Sequence, residues 1–196
     1  MNPYDVISEF YRPGSGLYRT LVRHGEQVAA KAVTVARGLT DQRPDTAFIE
    51  AAALLHDIGI FMTWAPGIGC RGIHPYVCHG VFGRELLEHK GLFRHAGVCE
   101  RHVGVGITVD DIIRQFLPLP RRDMRPITLE EQIIAYADKF YSKGNAAEKP
   151  MTTILGDLAR FGAEKTAIFC SWAVRFEGYD PADLEAMLPI GPSRDS

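Results

Sequence analysis

No stretch of this chain approaches the roughly 20 consecutive apolar residues that a membrane-spanning helix needs, so no membrane partner is expected. The opening residues, Met1-Asn2-Pro3-Tyr4-Asp5, lack a cationic segment followed by an apolar one. No secretory leader is therefore expected, and the cytoplasm is the expected compartment. None of the four cysteines, Cys70, Cys78, Cys99 and Cys170, forms a Cys-x-x-Cys pair, which argues against a zinc ribbon. Outside a secretory context free thiols are expected rather than disulfides. Charge imbalance is missing as well. The 22 basic and 24 acidic residues give a formal net charge of −2, so no general attraction to nucleic acid is expected. Internal repeats and low-complexity segments are absent, and strand-type alternation is scarce.

What is present is an ordinary globular composition. The 196 residues are 46% hydrophobic and 23% charged, enough to bury one substantial core. Apolar positions recur with helical period almost throughout. A short helix is predicted over Pro3–Tyr11 with Asn2 as its cap, and a long one follows the Pro13-Gly14-Ser15-Gly16 break. Leu17, Leu21, Val28, Ala32 and Val35 mark the buried stripe of that long helix, and His24 falls on the same stripe. Pro44 is expected to open the next helix, which carries Phe48, Ile49, Ala52 and Ala53 and ends at His56-Asp57-Ile58-Gly59.

Phe61 to Pro75 reads as a Gly- and Pro-rich loop of about fifteen residues, long enough for a lid. Further helices are predicted from Tyr76, from Gly91 and from a capping box at Thr108–Asp111. The Pro118–Pro126 stretch is irregular and basic. A second capping box at Thr128–Glu131 starts a helix on which Ile134, Asp138 and Tyr141 align. Two or three helices follow to Leu188, and the tail from Gly191 is expected to fray.

Six polar residues lie on otherwise apolar helix faces: His24, His56, Asp57, His79, His102 and Asp138. One such histidine is ordinarily a satisfied core residue, but five helices each contributing such a residue are harder to explain that way. Burying either member of His56-Asp57 without a partner costs a few kcal/mol, and buried carboxylates are rare unless paired. A shared metal centre satisfies them together. Four imidazoles and two carboxylates exceed one tetrahedral ion and fit two. Mixed N/O ligation without thiolate favours Mn, Fe, Co or Zn over Mg or Ca. Fe and Mn stand first, with Co, Zn or Ni as alternatives. Two such ions can hold a bridging hydroxide and clamp the attacking and leaving oxygens at phosphorus.

The ordered set of His24, His56-Asp57-Ile58-Gly59, His79-Gly80, His102 and Ala137-Asp138-Lys139 resembles the HD superfamily of metal-dependent phosphohydrolases, in its HDIG branch. The resemblance covers about residues 17–145. It implies an all-α HD-domain helical bundle, within a single domain over 1–196 and with a helical extension at about 150–190. It also implies that His24, His56, Asp57 and Asp138 hold one metal, and that His79 and His102 hold a second, with Asp57 bridging. Mononuclear members such as 5′-deoxynucleotidases lack the two extra histidines. Symmetrical diadenosine tetraphosphate hydrolases are similar in ligand order and size. The Gly-Tyr-Pro signature of the cyclic-dinucleotide phosphodiesterases called HD-GYP is absent, since Val-Gly-Val-Gly-Ile follows His102.

The implied activity is hydrolysis of a nucleotide, dinucleotide or other small phosphate ester by a metal-activated hydroxide. Asp57 and Lys139 are its candidate catalytic residues. Candidate substrate contacts are Lys139, Trp64 as a base-stacking surface, His74 as a proton donor, and Arg121 and Arg122 as phosphate clamps. Each also reads plainly as a surface or loop residue. Lys143 and Asn145 lie close enough in sequence to frame the pocket, and Glu100 reads either as support for His102 or as half of a surface ion pair. Two other functions stay open: a metal-loaded nucleotide-binding or sensor module with little turnover, and a dinuclear-iron oxygenase. The oligomeric state is open too, a homodimer included.

Overall fold

The structure, a computed structural model, describes residues 1–189; the tail from Gly191 lies outside the described residues. Capping residues set most helix starts. Helix α1, Pro3–Phe10, begins where the Asn2 side chain accepts the Tyr4 N–H. Helix α2, Gly16–Gly38, begins at Ser15, which caps Tyr18. Helix α3 runs Thr46–Leu55 and is capped by Asp45 through the Phe48 N–H, so the helix starts after Pro44 instead of on it. An Asp carboxylate can accept an orphan N–H of the first turn, and that sets the start here.

Helices α4, His79–His89, and α5, Phe93–Arg101, form an adjacent pair. Helix α6, Val109–Arg114, has both bonds of the Thr108/Asp111 capping box. Helix α7 runs Leu129–Asp138. Thr128 caps the Glu131 N–H, but the Glu131 carboxylate turns away to accept from Ile127 N–H and Arg101 at 2.8 and 2.7 Å. Only half of the expected second capping box therefore forms. Helices α8, Met151–Ala159, α9, Ala163–Glu177, and α10, Pro181–Ala186, are the last among the described residues. The architecture is all-α.

The segment expected as loop holds a small hairpin. Strand β1, Trp64–Ala65, pairs antiparallel with β2, Cys70–Arg71, in the register Trp64↔Arg71. Single 3₁₀ turns at Ile60–Met62 and Pro66–Ile68 flank and link the strands. Strands this short carry no readable alternation. All four cysteines are free thiols, and among the described residues no helix is long and apolar enough to cross a membrane.

Helix α2 is the axis of the fold. Its stripe Leu21, His24, Val28, Ala32 and Val35 is buried, against α3 on one side and α7 on the other. The C-terminal half of α2 meets the larger core, where α9 packs on α2 and α7. There the Tyr136 and Phe169 rings stack 5.0 Å apart. Each buried side chain of this size contributes about 1.5–3 kcal/mol. The N-terminal half meets a second core of Ile7, Leu21, Leu55, Ile58 and Leu87. His24 sits between the two.

Two glycines let α4 approach. A Cβ on Gly59 would fall 2.2 Å from the His79 carbonyl oxygen, and one on Gly80 would fall 2.5 Å from the Cys99 carbonyl oxygen. Both obstacles are backbone. Without a side chain at either position, His79 comes beside His56-Asp57 and beside His102.

Candidate metal centre

Five of the six candidate ligands lie at helix ends instead of mid-face. His56 and Asp57 follow the last residue of α3, His79 is the first residue of α4, His102 caps α5, and Asp138 is the last residue of α7. Only His24 is mid-helix. Three helix C-termini thus converge. These three negative ends outnumber the one positive end, the N-terminus of α4 at His79, and the balance favours a cation at this point.

Main-chain carbonyls also orient the imidazoles. Nδ1 of His56 donates to Ala53 O at 2.6 Å, Nδ1 of His79 to Tyr76 O at 2.6 Å, and Nδ1 of His102 to Cys99 O at 2.8 Å. A carbonyl can only accept, so each Nδ1 carries a proton and Nε2 is the atom left to face the cluster. The rings are locked as N-ligands by main-chain partners.

Asp57 is fully buried at the centre, and its two oxygens face different sets. Oδ2 lies 2.9 Å from His56 Nε2 and 3.2 Å from His24 Nε2. Oδ1 lies 3.2 Å from His79 Nε2 and 3.6 Å from His102 Nε2. Asp138 Oδ1 closes the first set, 3.0 Å from His24 Nε2 and 3.5 Å from His56 Nε2. His24, His56 and Asp138 offer ligand atoms within 4.8 Å of one another, as do His56, Asp57 and His102.

The donor set fits a metal on two grounds. Asp57 Oδ1 is buried without a hydrogen-bond partner and faces the Nε2 atoms of His79 and His102, a costly arrangement unless a cation satisfies them. Nε2 of His79 also faces Nε2 of His102 at 3.1 Å. With both Nδ1 atoms protonated, two lone pairs meet there, and they need a cation between them.

The protonation energetics agree. Burial works against the His56 imidazolium, yet Asp57 and Asp138 outweigh it and push the group up to about 10. Burial pulls His102 down to about 4 against the opposing pull of Asp57. Burial would raise both carboxylates, but the imidazoles, and Lys143 at Asp57, hold Asp57 and Asp138 well below the usual carboxylate range.

A cleft of about 440 Å³ opens over the cluster, lined by His79, His102, Asp138, Lys139 and Lys143 and by Gly67 and Ile68 of the hairpin. Lys143 reaches Asp57 Oδ2 at 2.5 Å and lies 5.7 Å from the Tyr76 ring centroid. Burial disfavours its charge, but Asp57, Tyr76 and Asp138 hold the ammonium above its ordinary range. Burial lowers Lys139.

Not every residue expected at the substrate reaches this cleft. Trp64 is 59% exposed on β1 and Ile68 lines the wall in its place. His74 packs on Phe82, with ring centroids 4.6 Å apart. Arg122 donates to Glu100 Oε1 through Nε and Nη2 at 2.8 and 2.5 Å, and Arg121 is exposed. Glu100 is buried, so its charge draws in Arg84 and Arg122. That pairing commits Arg122 to Glu100 on α5, and Arg122 does not line the cleft. Asn145 folds back on its own loop, accepting the Ala147 N–H. No sequence signal marks the Lys165–Asp111 pair, which at 2.5 Å ties α9 to α6. A lysine early in an apolar helix reads as an ordinary surface residue.

The fold is an all-α domain in which helix ends bring three imidazoles and two carboxylates beside the mid-helix His24, a buried ligand cluster suited to a cation. The family model described as HD domain matches residues 21–142, and the chain belongs to that family. An uncharacterized protein of Methanocaldococcus jannaschii is 42% identical over 95 residues, covering 48% of this chain and 48% of that one. A tRNA (cytidine(56)-2'-O)-methyltransferase of Thermoplasma volcanium is 32% identical over 133 residues, 67% of this chain and 34% of its own. The Picrophilus torridus protein of that name is 36% identical over 124 residues, 62% and 31% of the two chains. The chain thus spans about half or less of the length of these curated relatives. Among solved structures, the HD domain of the L. monocytogenes phosphodiesterase PgpH aligns with a TM-score of 0.49 at 15% identity, covering 86% of this chain and 88% of that one. The same domain in complex with cyclic-di-AMP gives 0.48 at 14% identity, covering 90% and 94%.

Proposed function

We propose that the chain is a metal-dependent phosphohydrolase of the HDIG branch, acting on a nucleotide, dinucleotide or other small phosphate ester. In this reading it holds two divalent transition-metal ions, Fe or Mn first. One set of ligands is His24, His56, Asp138 and Asp57 Oδ2, and the other is His79, His102 and Asp57 Oδ1. The division of the Asp57 oxygens between two imidazole pairs supports it most directly.

Bound divalent metal supplies positive charge for phosphoryl oxygens and acidity for an attacking water. The protein's own groups do the rest. Asp57 spans the two ligand sets and holds them at a fixed separation. The main-chain carbonyls of Ala53, Tyr76 and Cys99 keep three imidazoles aimed inward. Lys139 and Lys143, in the cleft wall, place two cations where phosphoryl oxygens gather charge. The hairpin residues Gly67 and Ile68 complete the cleft wall.

The test is metal analysis of the purified chain together with phosphate release from a nucleotide panel in metal-defined buffer. Tightly bound transition metal and phosphate release are expected. No tight metal, with no release after reconstitution with Mn or Fe, overturns the reading. Metal without release leaves the sensor module, and oxygen uptake with substrate identifies the oxygenase.

Metal uptake has a proton signature. His56 titrates at about 10 in the metal-free chain, so it is charged at pH 8, and ligation requires the neutral ring. At least one proton per chain is expected to leave on metal binding, and apparent affinity should rise with pH up to that value. His102, drawn down to about 4, is already neutral and releases none. Calorimetric titration of metal in buffers of different ionisation enthalpy counts the protons, and a count of zero overturns the raised His56 titration.

A further inference from the structure

A second cavity of about 430 Å³ adjoins the metal cleft. The two share a wall of Tyr76, His79, Val103, Gly104 and Lys139. Beyond that wall the chemistry changes. The inner chamber is lined by Val105, Ile107 and Leu117 from the α6 region, and by Leu158 and Phe161 at the end of α8. Leu158, Phe161 and Lys165 lie past residue 142, where the family match ends. The C-terminal helices therefore build a cavity that the matched region alone leaves open.

Few polar groups face this chamber, and most of them are spent. Lys165 Nζ is held by Asp111 Oδ2 at 2.5 Å and by Gly106 O at 2.8 Å. Asp111 also accepts the Thr108 N–H and belongs to the capping box of α6. The pair is internally satisfied and offers no net charge to a ligand. Gln115 contributes one amide. Lys139 lies on the shared wall, and among the described residues its ammonium has no carboxylate at ion-pair distance, whereas Lys143 and Lys149 do. The charged end of a ligand thus belongs at Lys139 and the cleft, and an uncharged end belongs in the chamber.

Resting on the phosphohydrolase reading above, we propose that this chamber binds the nucleobase of a nucleotide whose phosphate reaches the metal cleft past Lys139. The α8–α9 extension is then the element that selects the substrate class. A bare sugar phosphate would leave several hydroxyls unpaired against Val105, Ile107, Leu117 and Leu158, at a cost per group. A flat ring with apolar faces and a few polar edge atoms matches hydrocarbon walls with a single amide. The volume falls within the range of small-molecule sites.

Two variants test this with the metal-loaded full chain. Phe161 and Gln115 are both exposed at the chamber, so Phe161→Ala and Gln115→Trp alter it without touching the core. Binding of adenosine and guanosine, which carry no phosphate, is measured by calorimetry. The KM preference for nucleoside monophosphates over ribose 5-phosphate is measured alongside. Wild type is expected to bind the nucleosides and to prefer the nucleotides. Phe161→Ala should weaken both properties about tenfold, the loss of one ring's buried area, and Gln115→Trp should block nucleoside binding. Equal KM for nucleotides and ribose 5-phosphate in the wild type overturns the chamber assignment while leaving the phosphohydrolase reading intact. So does nucleoside binding unaffected by either variant. Nucleoside binding that Gln115→Trp abolishes, in a chain that releases no phosphate from any ester, upholds the chamber and overturns the phosphohydrolase reading.

Discussion

Asp57→Asn is expected to lower turnover by about 10³-fold or more and, in the two-ion reading proposed above, to release both metal ions. A metal centre contributes several kcal/mol of transition-state stabilisation, and each 1.4 kcal/mol is a factor of about ten. The change is nearly isosteric, so the fold should persist, which circular dichroism can check. What changes is the charge shared between two ligand sets. Asp57 Oδ2 faces His24 and His56 while Oδ1 faces His79 and His102. An amide supplies one acceptor and one donor, so it serves at most one set. His102→Ala is the contrast, because His102 belongs to one set only. Metal analysis should show about two equivalents in the wild type, about one in His102→Ala and almost none in Asp57→Asn. Two equivalents retained in either variant would exclude the bridging arrangement.

Gly59→Ala is expected to destabilise the fold by about 3 kcal/mol or more, the upper end for overpacking in a core. For a chain of this length that lowers Tm by about 6–12 °C. The methyl would fall 2.2 Å from the His79 carbonyl oxygen and 2.5 Å from the Gly83 nitrogen. Neither atom can swing aside as a flexible side chain could, so α4 must retreat and carry His79 with it. The metal-free melting temperature reports the packing loss, and a fall in bound metal reports the displaced ligand. Gly156→Ala supplies the control. Gly156 lies inside α8, and a methyl group there would meet nothing within 4 Å, so replacement should stabilise the helix by about 1 kcal/mol. A melting temperature for Gly59→Ala equal to that of the wild type would refute the close approach.

Much of the site was legible in one dimension because ligands are chemically out of place among apolar residues. His24 could be read from the stripe Leu21–Val28, and the His56-Asp57 pair from the apolar run before it. The mechanism that orients them was less legible. Helical phase suggested ligands pointing from helix faces, whereas five of the six stand at helix ends, and three of those use i−3 carbonyls to fix their rings. End positions depend on where a helix stops, and periodicity alone locates that poorly. The substrate contacts were least legible. Arg122 and Glu100 carry opposite charges in an arrangement that sequence spacing does not disclose, and their pairing draws Arg122 away from the cleft. The hairpin at Trp64–Arg71 consists of strands too short for any period.

Local rules were enough to set the helical class, most of the caps and the identity of the buried polar residues. Those rules are side-chain period, first-turn hydrogen bonding, and the cost of burying a charge. How the polar residues divide was settled only by the packed fold. It turned the two Asp57 oxygens to different imidazole pairs, brought α4 against the turn after α3 at Gly59 and against α5 at Gly80, and lined an apolar chamber with residues of α8 and α9. Each outcome depends on backbone and side-chain atoms far apart in the chain meeting within a few ångström. No local pattern encodes those distances, because close packing sets them across all the helices at once.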